Sequence, residues 1–367
     1  MTNFIGASGV RGPIGIDVGR TQIKAVQLSR LDSRTPRWQV EAAACVPRNS
    51  DDAVLDESET ARLLSVLNRQ GFSRKHVVLA APPNAVMTDL FGLPPQDSGA
   101  PISQIAEAEF ARTQKCQVGT FEMAFWDLPQ SASGGTARTV MATGCSHDEA
   151  DRLIDVFEAC RCRVVAIDVA SWAIARACSS RLRQSKHMTA ALDLGAHRGL
   201  FILFHQGVVV YERVLADVAI TKWRQALTDQ LEIDGDMADH LLADVGVRAG
   251  ARGEGTRGGD RVGRPVTDDI RDNVWAILSG HLERMTQELR VSLSYATHLY
   301  REVEVDQLVL TGGGAAIPGI ERCVESAIEI GVQTVAPVDL IDCSPTVNDR
   351  CQSPALTMAL GLSQYGE

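Results

Sequence analysis

Aromatic side chains are scarce in this chain, 5% of its 367 residues. A core must therefore rest on aliphatic packing, which the 45% hydrophobic content supplies. Lysine is scarcer, with five positions (24, 75, 115, 186 and 222) among 36 basic residues. Acidic residues number 46, so the net charge is −10 at pH 7. That balance argues against nucleic acid as a partner, since phosphate backbones call for a basic surface. No apolar run is long enough to span a bilayer, and residues 1–13 (MTNFIGASGVRGP) are too polar and Gly-rich for a secretory leader. They read as a flexible N-terminal arm. The nine cysteines are scattered with no C-x-x-C pair, and Cys160 and Cys162 are too close for a usual bridge or zinc knuckle. Reduced thiols in a cytosolic protein are the expectation. A chain this long buries a sizeable core and divides into two lobes.

Three glycine-bearing segments share one logic: Ile14–Lys24 (IGIDVGRTQIK), Ala191–Gly207 (ALDLGAHRGLFILFHQG) and Leu308–Ile320 (LVLTGGGAAIPGI). The first two each read as an apolar strand ending in Asp-x-Gly, a tight turn, and a second apolar strand. The third is a strand entering a triple glycine, followed by a helix opened by Pro318. Glycines let backbone N–H groups approach phosphate oxygens, and a strand-end carboxylate can hold a hydrated Mg²⁺. In this order the segments point to an α/β protein of the actin-like ATPase fold. In such a fold two pseudo-symmetric lobes of mixed sheet each offer one Asp-x-Gly hairpin to a nucleotide between them.

Hydrophobic periodicity fills in the rest. Residues 14–29 form a hairpin, 37–46 a third strand, 58–70 a helix capped by Ser58, and 76–81 a buried strand. Between 82 and 165 the order departs from this plan: strands at 86–93, 121–128 and 137–144, helices at 101–114 and 147–160. This span reads as a small inserted α/β subdomain. The first lobe is then 14–81 with 166–187, and the second is 188–367. The second lobe carries a helical part at about 218–300. Within it, the Gly/Arg-rich run 248–264 reads as a disordered loop. A long helix spans about 268–300 with Leu278, Leu282, Met285, Leu289 and Leu293 on one face, and a last helix spans 354–365.

With these segments placed, the chain from about 14 to 366 resembles the PilM family, actin-like ATP-binding proteins of type IV pilus assembly related to the cell-division protein FtsA. The resemblance rests on Gly15-Ile16-Asp17-Val18-Gly19-Arg20-Thr21-Gln22-Ile23-Lys24, on Arg163–Ala177 (RVVAIDVASWAIARA) and on Glu288–Tyr295 (ELRVSLSY). The position of the insert agrees. FtsA usually ends in an amphipathic membrane helix, whereas Ser363-Gln364-Tyr365-Gly366-Glu367 offers none.

The resemblance implies ATP and Mg²⁺ as ligands. Asp17, Gly19, Arg20, Thr21, Lys24, Asp193, Gly195, Gly312, Gly313 and Gly314 would meet the nucleotide, with Asp17 and Asp193 holding Mg²⁺ through water. Alternatives stand beside several roles. Arg20 replaces a small hydroxyl residue, and either meets phosphate or swings out. Lys24 is a phosphate contact or a surface lysine. His197 and Arg198 stand where a Ser or Thr is usual, as cationic donors or plain turn residues. Asp217-Val218-Ala219 replaces a Gly-Gly, and Ala170-Ser171 replaces the Glu-Pro that relatives carry after Asp168. Slow or absent hydrolysis follows from these losses.

The implied function is a cytoplasmic scaffold for the inner-membrane platform of a type IV pilus or related type II secretion system. Its expected partner is the short cytoplasmic N-terminal segment of a PilN-type bitopic membrane protein. Self-association stays open, and direct membrane insertion is not expected. Two other readings remain: an actin-like small-molecule kinase, which needs a carboxylate base facing a substrate pocket, and a degenerate scaffold that binds no nucleotide.

Overall fold

Ile14, Ile16, Ile23 and Ala25 pack into one core cluster, and the first segment is a hairpin, β1 (Arg11–Val18) and β2 (Gln22–Arg30). The computed structural model describes residues 10–30, 37–49, 55–73, 75–129, 138–182, 187–248, 268–300 and 303–366, without the side chains of 296–299. The arm expected at 1–13 is shorter than read, because β1 already begins at Arg11. Its residues 1–9, and the loop residues 249–264, lie outside the described residues.

In chain order the further strands are β3 (Trp38–Pro47), β4 (His76–Ala80), β5 (Val86–Leu93), β6 (Phe121–Asp127), β7 (Arg138–Ser146), β8 (Arg163–Asp168), β9 (Met188–Leu194), β10 (Gly199–His205), β11 (Val208–Leu215), β12 (Val305–Thr311), β13 (Gly331–Thr334) and β14 (Asp342–Cys343). They make three sheets, ordered β14-β3-β2-β1-β4-β8, β11-β10-β9-β12-β13 and β5-β7-β6. The first two repeat one plan. A strand ending in Asp-x-Gly (β1 or β9) pairs antiparallel with its hairpin partner on one side and parallel with β4 or β12 on the other. The residues at the centre of β4, Val77, Val78 and Leu79, are fully buried, as a strand covered on both faces should be.

The helix Glu57–Arg69 turns Leu63 and Leu67 onto the first sheet. Its cap is Asp56 rather than Ser58: the Asp56 carboxylate accepts from the Glu59 amide at 2.7 Å. The third segment also starts its helix later than read. Gly313–Ala316 is a short 3-10 turn, and the helix is Ile320–Ile328, entered through Gly319 in left-handed backbone (φ 82°) rather than opened by Pro318.

Strands β5, β7 and β6 make a separate antiparallel sheet, backed by the helix Ile102–Gln114 through Phe110 and Ala106. The helix His147–Ala159, grouped with the insert by sequence order, instead packs Phe157 among Leu63, Leu67, Val77 and Leu79 of the first core. The end of the chain differs as well. Sequence order places 342–366 with the second lobe, yet β14 pairs with β3, and the helix Thr357–Ser363 buries Leu360 beside Val26 and Val40. Gly15 of β1 lies so close beneath that helix that a Cβ would stand 2.2 Å from the Ala359 carbonyl oxygen. The long helix Asp268–Leu299 buries Leu278, Met285 and Leu289 against the second sheet, as its periodicity predicts.

Candidate functional site

The two Asp-x-Gly turns face one cavity of about 510 Å³. Its walls carry Asp17, Gly19, Arg20, Thr21 and Lys24 from the first hairpin and Asp193, Gly195, His197 and Arg198 from the second. Pro83, Ala170, Met358, Leu153 and the Glu149–Arg152 pair also line it. A second cavity of about 270 Å³ shares Asp17, Ala170, Arg198 and Met358 and reaches Thr88 and Glu212, between β5 and β11.

Register explains the first turn's chemistry. Asp17 and Lys24 are directly opposed across β1 and β2, so their side chains share a face. Lys24 Nζ donates to Asp17 Oδ2 at 3.0 Å, with both side chains largely covered. Burial opposes the Lys24 charge, but contact with Asp17 and the more distant Asp193 outweigh it and hold its pKa above the ordinary lysine value. Gly19 makes room for this closure, since a Cβ there would lie 2.6 Å from Lys24 Nζ. Arg20 is exposed and pairs with no other described residue.

The turn is braced from behind by a pair that sequence reasoning missed. Arg48 and Glu59 are 1% and 8% exposed and bonded as a fork, Nη2 to Oε2 at 2.8 Å and Nε to Oε1 at 3.1 Å. The Arg48 amide donates to the Thr21 carbonyl at 2.9 Å, and its guanidinium reaches the Gly19 carbonyl at 3.5 Å. Hydrogen bonds from Arg48 hold the Glu59 carboxyl below the usual carboxylate range. Nothing in the spacing of residues 48 and 59 signals this pair.

The second turn is built differently. Asp193 opposes Leu200, not a cation. Its Oδ1 accepts from Thr311 Oγ1 of β12 at 3.1 Å. Burial, then repulsion from Asp17, push its pKa up, with Lys24, Thr311 and Arg198 pulling the other way. The turn is clasped by the helix Ile220–Leu231. The Ile220 amide donates to the Gly195 carbonyl, and the Thr221 amide and hydroxyl both donate to the Ala196 carbonyl at 2.8 Å. Val218 and Ala219 are buried, with Val218 packed over Gly199. Side chains fill the place where a Gly-Gly backbone is usual.

The triple glycine sits against this turn rather than on the cavity wall. Gly312 has φ 82°, and a Cβ there would meet Asp193 Oδ1 at 2.6 Å; one on Gly314 would meet Ile220. Gly313 alone faces open space. Asp168 is engaged: one carboxylate oxygen accepts from the Val169 amide at 2.8 Å and the other pairs with Arg176. Ala170 presents a methyl to both cavities.

Residues 15–241 and 269–365 match the family model described as Type IV pilus assembly protein PilM. Among curated protein sequences none matches. The chain is similar to a solved PilM-PilN type IV pilus biogenesis complex, with 18% identity, a TM-score of 0.76, and 97% of this chain and 98% of that chain covered. It is also similar to ethanolamine utilization protein EutJ from Carboxydothermus hydrogenoformans, with 12% identity, 97% and 90% coverage and TM-score 0.54. MreB5 of Spiroplasma citri bound to AMPPNP gives 13% identity, 97% and 96% coverage and TM-score 0.53. These likenesses establish the fold as the actin-like ATPase fold.

Proposed function

The chain belongs to the type IV pilus assembly protein PilM family, and from that premise we propose that it is a nucleotide-binding scaffold of a pilus or related secretion platform. The observation that carries the reading is the meeting of Asp17 and Asp193, each on its own Asp-x-Gly turn, across one cavity that Lys24 also lines. The solved structures of MreB5 with AMPPNP and with ADP support nucleotide as the ligand.

The carboxylates fit a hydrated divalent cation. Burial and, after it, the charge of Asp17 raise the proton affinity of Asp193, and a bound cation would relieve the repulsion between the two acids. Among the described residues no group of three or more His, Cys, Asp or Glu could hold a metal directly. Asp17 and Asp193 would therefore hold Mg²⁺ through its waters. Bound there, the ion neutralises phosphate charge. Lys24, released from Asp17, donates to phosphate, as do the backbone at Gly19 and the Thr21 hydroxyl; Gly195, whose amide donates to the Arg198 carbonyl at 3.0 Å, holds the second turn in shape. Exposed Arg20 swings in as a charge-assisted donor. Gly312 keeps the backbone close to Asp193 and Gly314 close to Ile220, and open Gly313 leaves room for adenine and ribose. Hydrolysis is slow or absent, because Asp168 is tied to Arg176 and Ala170 offers no carboxylate to orient water.

No helix of the described residues is long and apolar enough to cross a membrane. Attachment to the inner membrane is assigned to a PilN-type partner, whose short cytoplasmic N-terminal segment docks on the chain. The solved PilM-PilN complex supports this choice. Co-expression with such a partner moves the protein into the membrane fraction; indifference to it would overturn the docking.

A second reading, a scaffold without nucleotide, is favoured by two observations. Lys24 is closed onto Asp17, and the Ile220 and Thr221 amides are engaged by the turn itself. The kinase reading ranks behind both, because Glu149, the third carboxylate on the cavity wall, is paired with Arg152 at 2.7 Å. Calorimetry with Mg·ATP separates them. Binding weakened at least about tenfold by Asp17→Ala, roughly the loss of one charged contact, supports the nucleotide reading. Turnover should then stay far below the roughly 1–100 s⁻¹ of kinases. No binding by the wild type supports the second reading; brisk turnover overturns slow hydrolysis, and phosphoryl transfer to a sugar in a coupled assay revives the kinase.

A further inference from the structure

Arg198 is a cation with unused donors at the meeting point of two cavities. It stands just before β10 and lines both spaces. Its Nη1 donates to the Pro83 carbonyl at 3.2 Å, and it forms no ion pair with any described residue. A guanidinium carries five N–H donors in a planar fork, so most of its capacity is unengaged. Burial holds its pKa below the ordinary guanidinium value, against the more distant pull of Asp193, Glu212 and Asp17. A partly desolvated fork facing open space suits an anion with several oxygens.

The acceptor it now holds has its own meaning. Pro83 lies in the connector between β4 and β5, just ahead of the third sheet. A second tie crosses the same junction, with Thr88 Oγ1 of β5 donating to Glu212 Oε1 of β11 at 2.5 Å. Farther along, Trp126 Nε1 of β6 donates to the Val209 carbonyl at 2.7 Å. The third sheet is thus fastened to the second at several points, and the Arg198–Pro83 bond is the one whose donor also lines the larger cavity.

We propose that Arg198 is a phosphate-operated latch: the terminal phosphate of a nucleoside triphosphate draws the guanidinium off the Pro83 carbonyl and frees the β4–β5 connector from the second hairpin. The proposal rests on the nucleotide reading above. The exchange replaces one bond to a neutral carbonyl by charge-assisted bonds to an ionised acceptor, which are roughly twice as strong each and can be bidentate. A diphosphate lacks the group that competes with Pro83, so it leaves the latch shut. A triphosphate and a diphosphate would then hold the third sheet differently, and only by the difference in their affinities for the two states.

The test uses the full chain with Arg198→Gln and Arg198→Lys. Calorimetry compares Mg·ATP with Mg·ADP, and hydrogen exchange follows the amides of residues 83–90. The wild type should prefer ATP, and Arg198→Gln should reduce that preference about tenfold, the effect of one charged hydrogen bond. Arg198→Lys, which keeps charge but loses the fork, should fall between. ATP should speed exchange at 83–90 in the wild type, and Arg198→Gln should exchange fast there without nucleotide. An unchanged ATP-to-ADP preference in both variants, or exchange at 83–90 indifferent to ATP in a wild type that binds it, overturns the latch alone. A wild type that binds neither nucleotide overturns the nucleotide reading and the latch together. A variant with a lowered melting temperature is judged by the other.

Discussion

The two Asp-x-Gly turns share a strand order and a register, yet they neutralise their acids by different means. Seven positions after each Asp stands its cross-strand partner, Lys24 for Asp17 and Leu200 for Asp193. The first acid is met by a cation from its own hairpin. The second is met by a hydroxyl from the neighbouring strand β12, and burial leaves its proton affinity raised. Their braces differ too. A buried Arg48–Glu59 pair holds the first turn, and the N-terminus of a helix holds the second. A repeated backbone therefore does not fix the electrostatics of a site. The strand-end carboxylate is common to both halves, but only the second one still lacks a full counter-charge.

The sharpest break of this comparison is at the first brace. Arg48→Met leaves the buried Glu59 carboxylate with the Asn49 amide at 3.3 Å and Arg62 at 3.8 Å, and should cost about 3 kcal/mol of stability in urea unfolding. Replacing both, Arg48→Met with Glu59→Leu, should recover much of that. A single change costing under about 1 kcal/mol would show that the first turn stands without its pair.

Next in size is the glycine behind the second turn. Gly312→Ala imposes left-handed backbone on a side chain and pushes a Cβ toward Asp193 Oδ1, so a loss of about 2 kcal/mol is expected. Gly313→Ala, in open space, should stay within about 0.5 kcal/mol. Equal effects at the two positions would mean that the glycines do not serve this turn. Thr311→Val removes the hydroxyl from Asp193 and should cost about 1 kcal/mol, again read by unfolding.

The smallest effect is in the pH dependence, and its sign differs between the halves. The lowered pKa of Glu59 stabilises the fold above its unfolded value, and that contribution is lost as pH falls through the folded one. The raised pKa of Asp193 acts oppositely, since the folded state takes up the proton first on acidification and gains stability. Asp193→Asn should therefore lose stability more steeply than the wild type as pH falls from neutral toward 4, by an added amount under about 1 kcal/mol. Parallel curves would remove the distinction between the two acids.

Much of this was legible in the sequence because local pattern carried it. The Asp-x-Gly hairpins, the triple glycine and the stripe of the long helix each declare themselves within a short window. The site's acids and Lys24 were legible for the same reason, since the ends of a tight hairpin are near in sequence and in space. Arg48 and Glu59 were not, because their meeting depends on a helix docking against a strand. The triple glycine was found but its surroundings were not. Contact with Asp193 and Ile220 depends on residues more than 90 positions away. Two-residue β14 has no period to detect. The helix His147–Ala159 has a clear apolar face, but nothing local says which sheet receives it.

The return of residues 342–363 to the first sheet sets an order of events during synthesis. The second sheet is complete once β13 ends at Thr334. The first sheet, whose β1 leaves the ribosome before every strand of the second sheet, still lacks β14 and the helix seated on Gly15. The half translated first is thus the half finished last. Until the final helix arrives, β1 and β2 carry an uncovered apolar face, with Val26 and Leu28 open to whatever binds nascent chains.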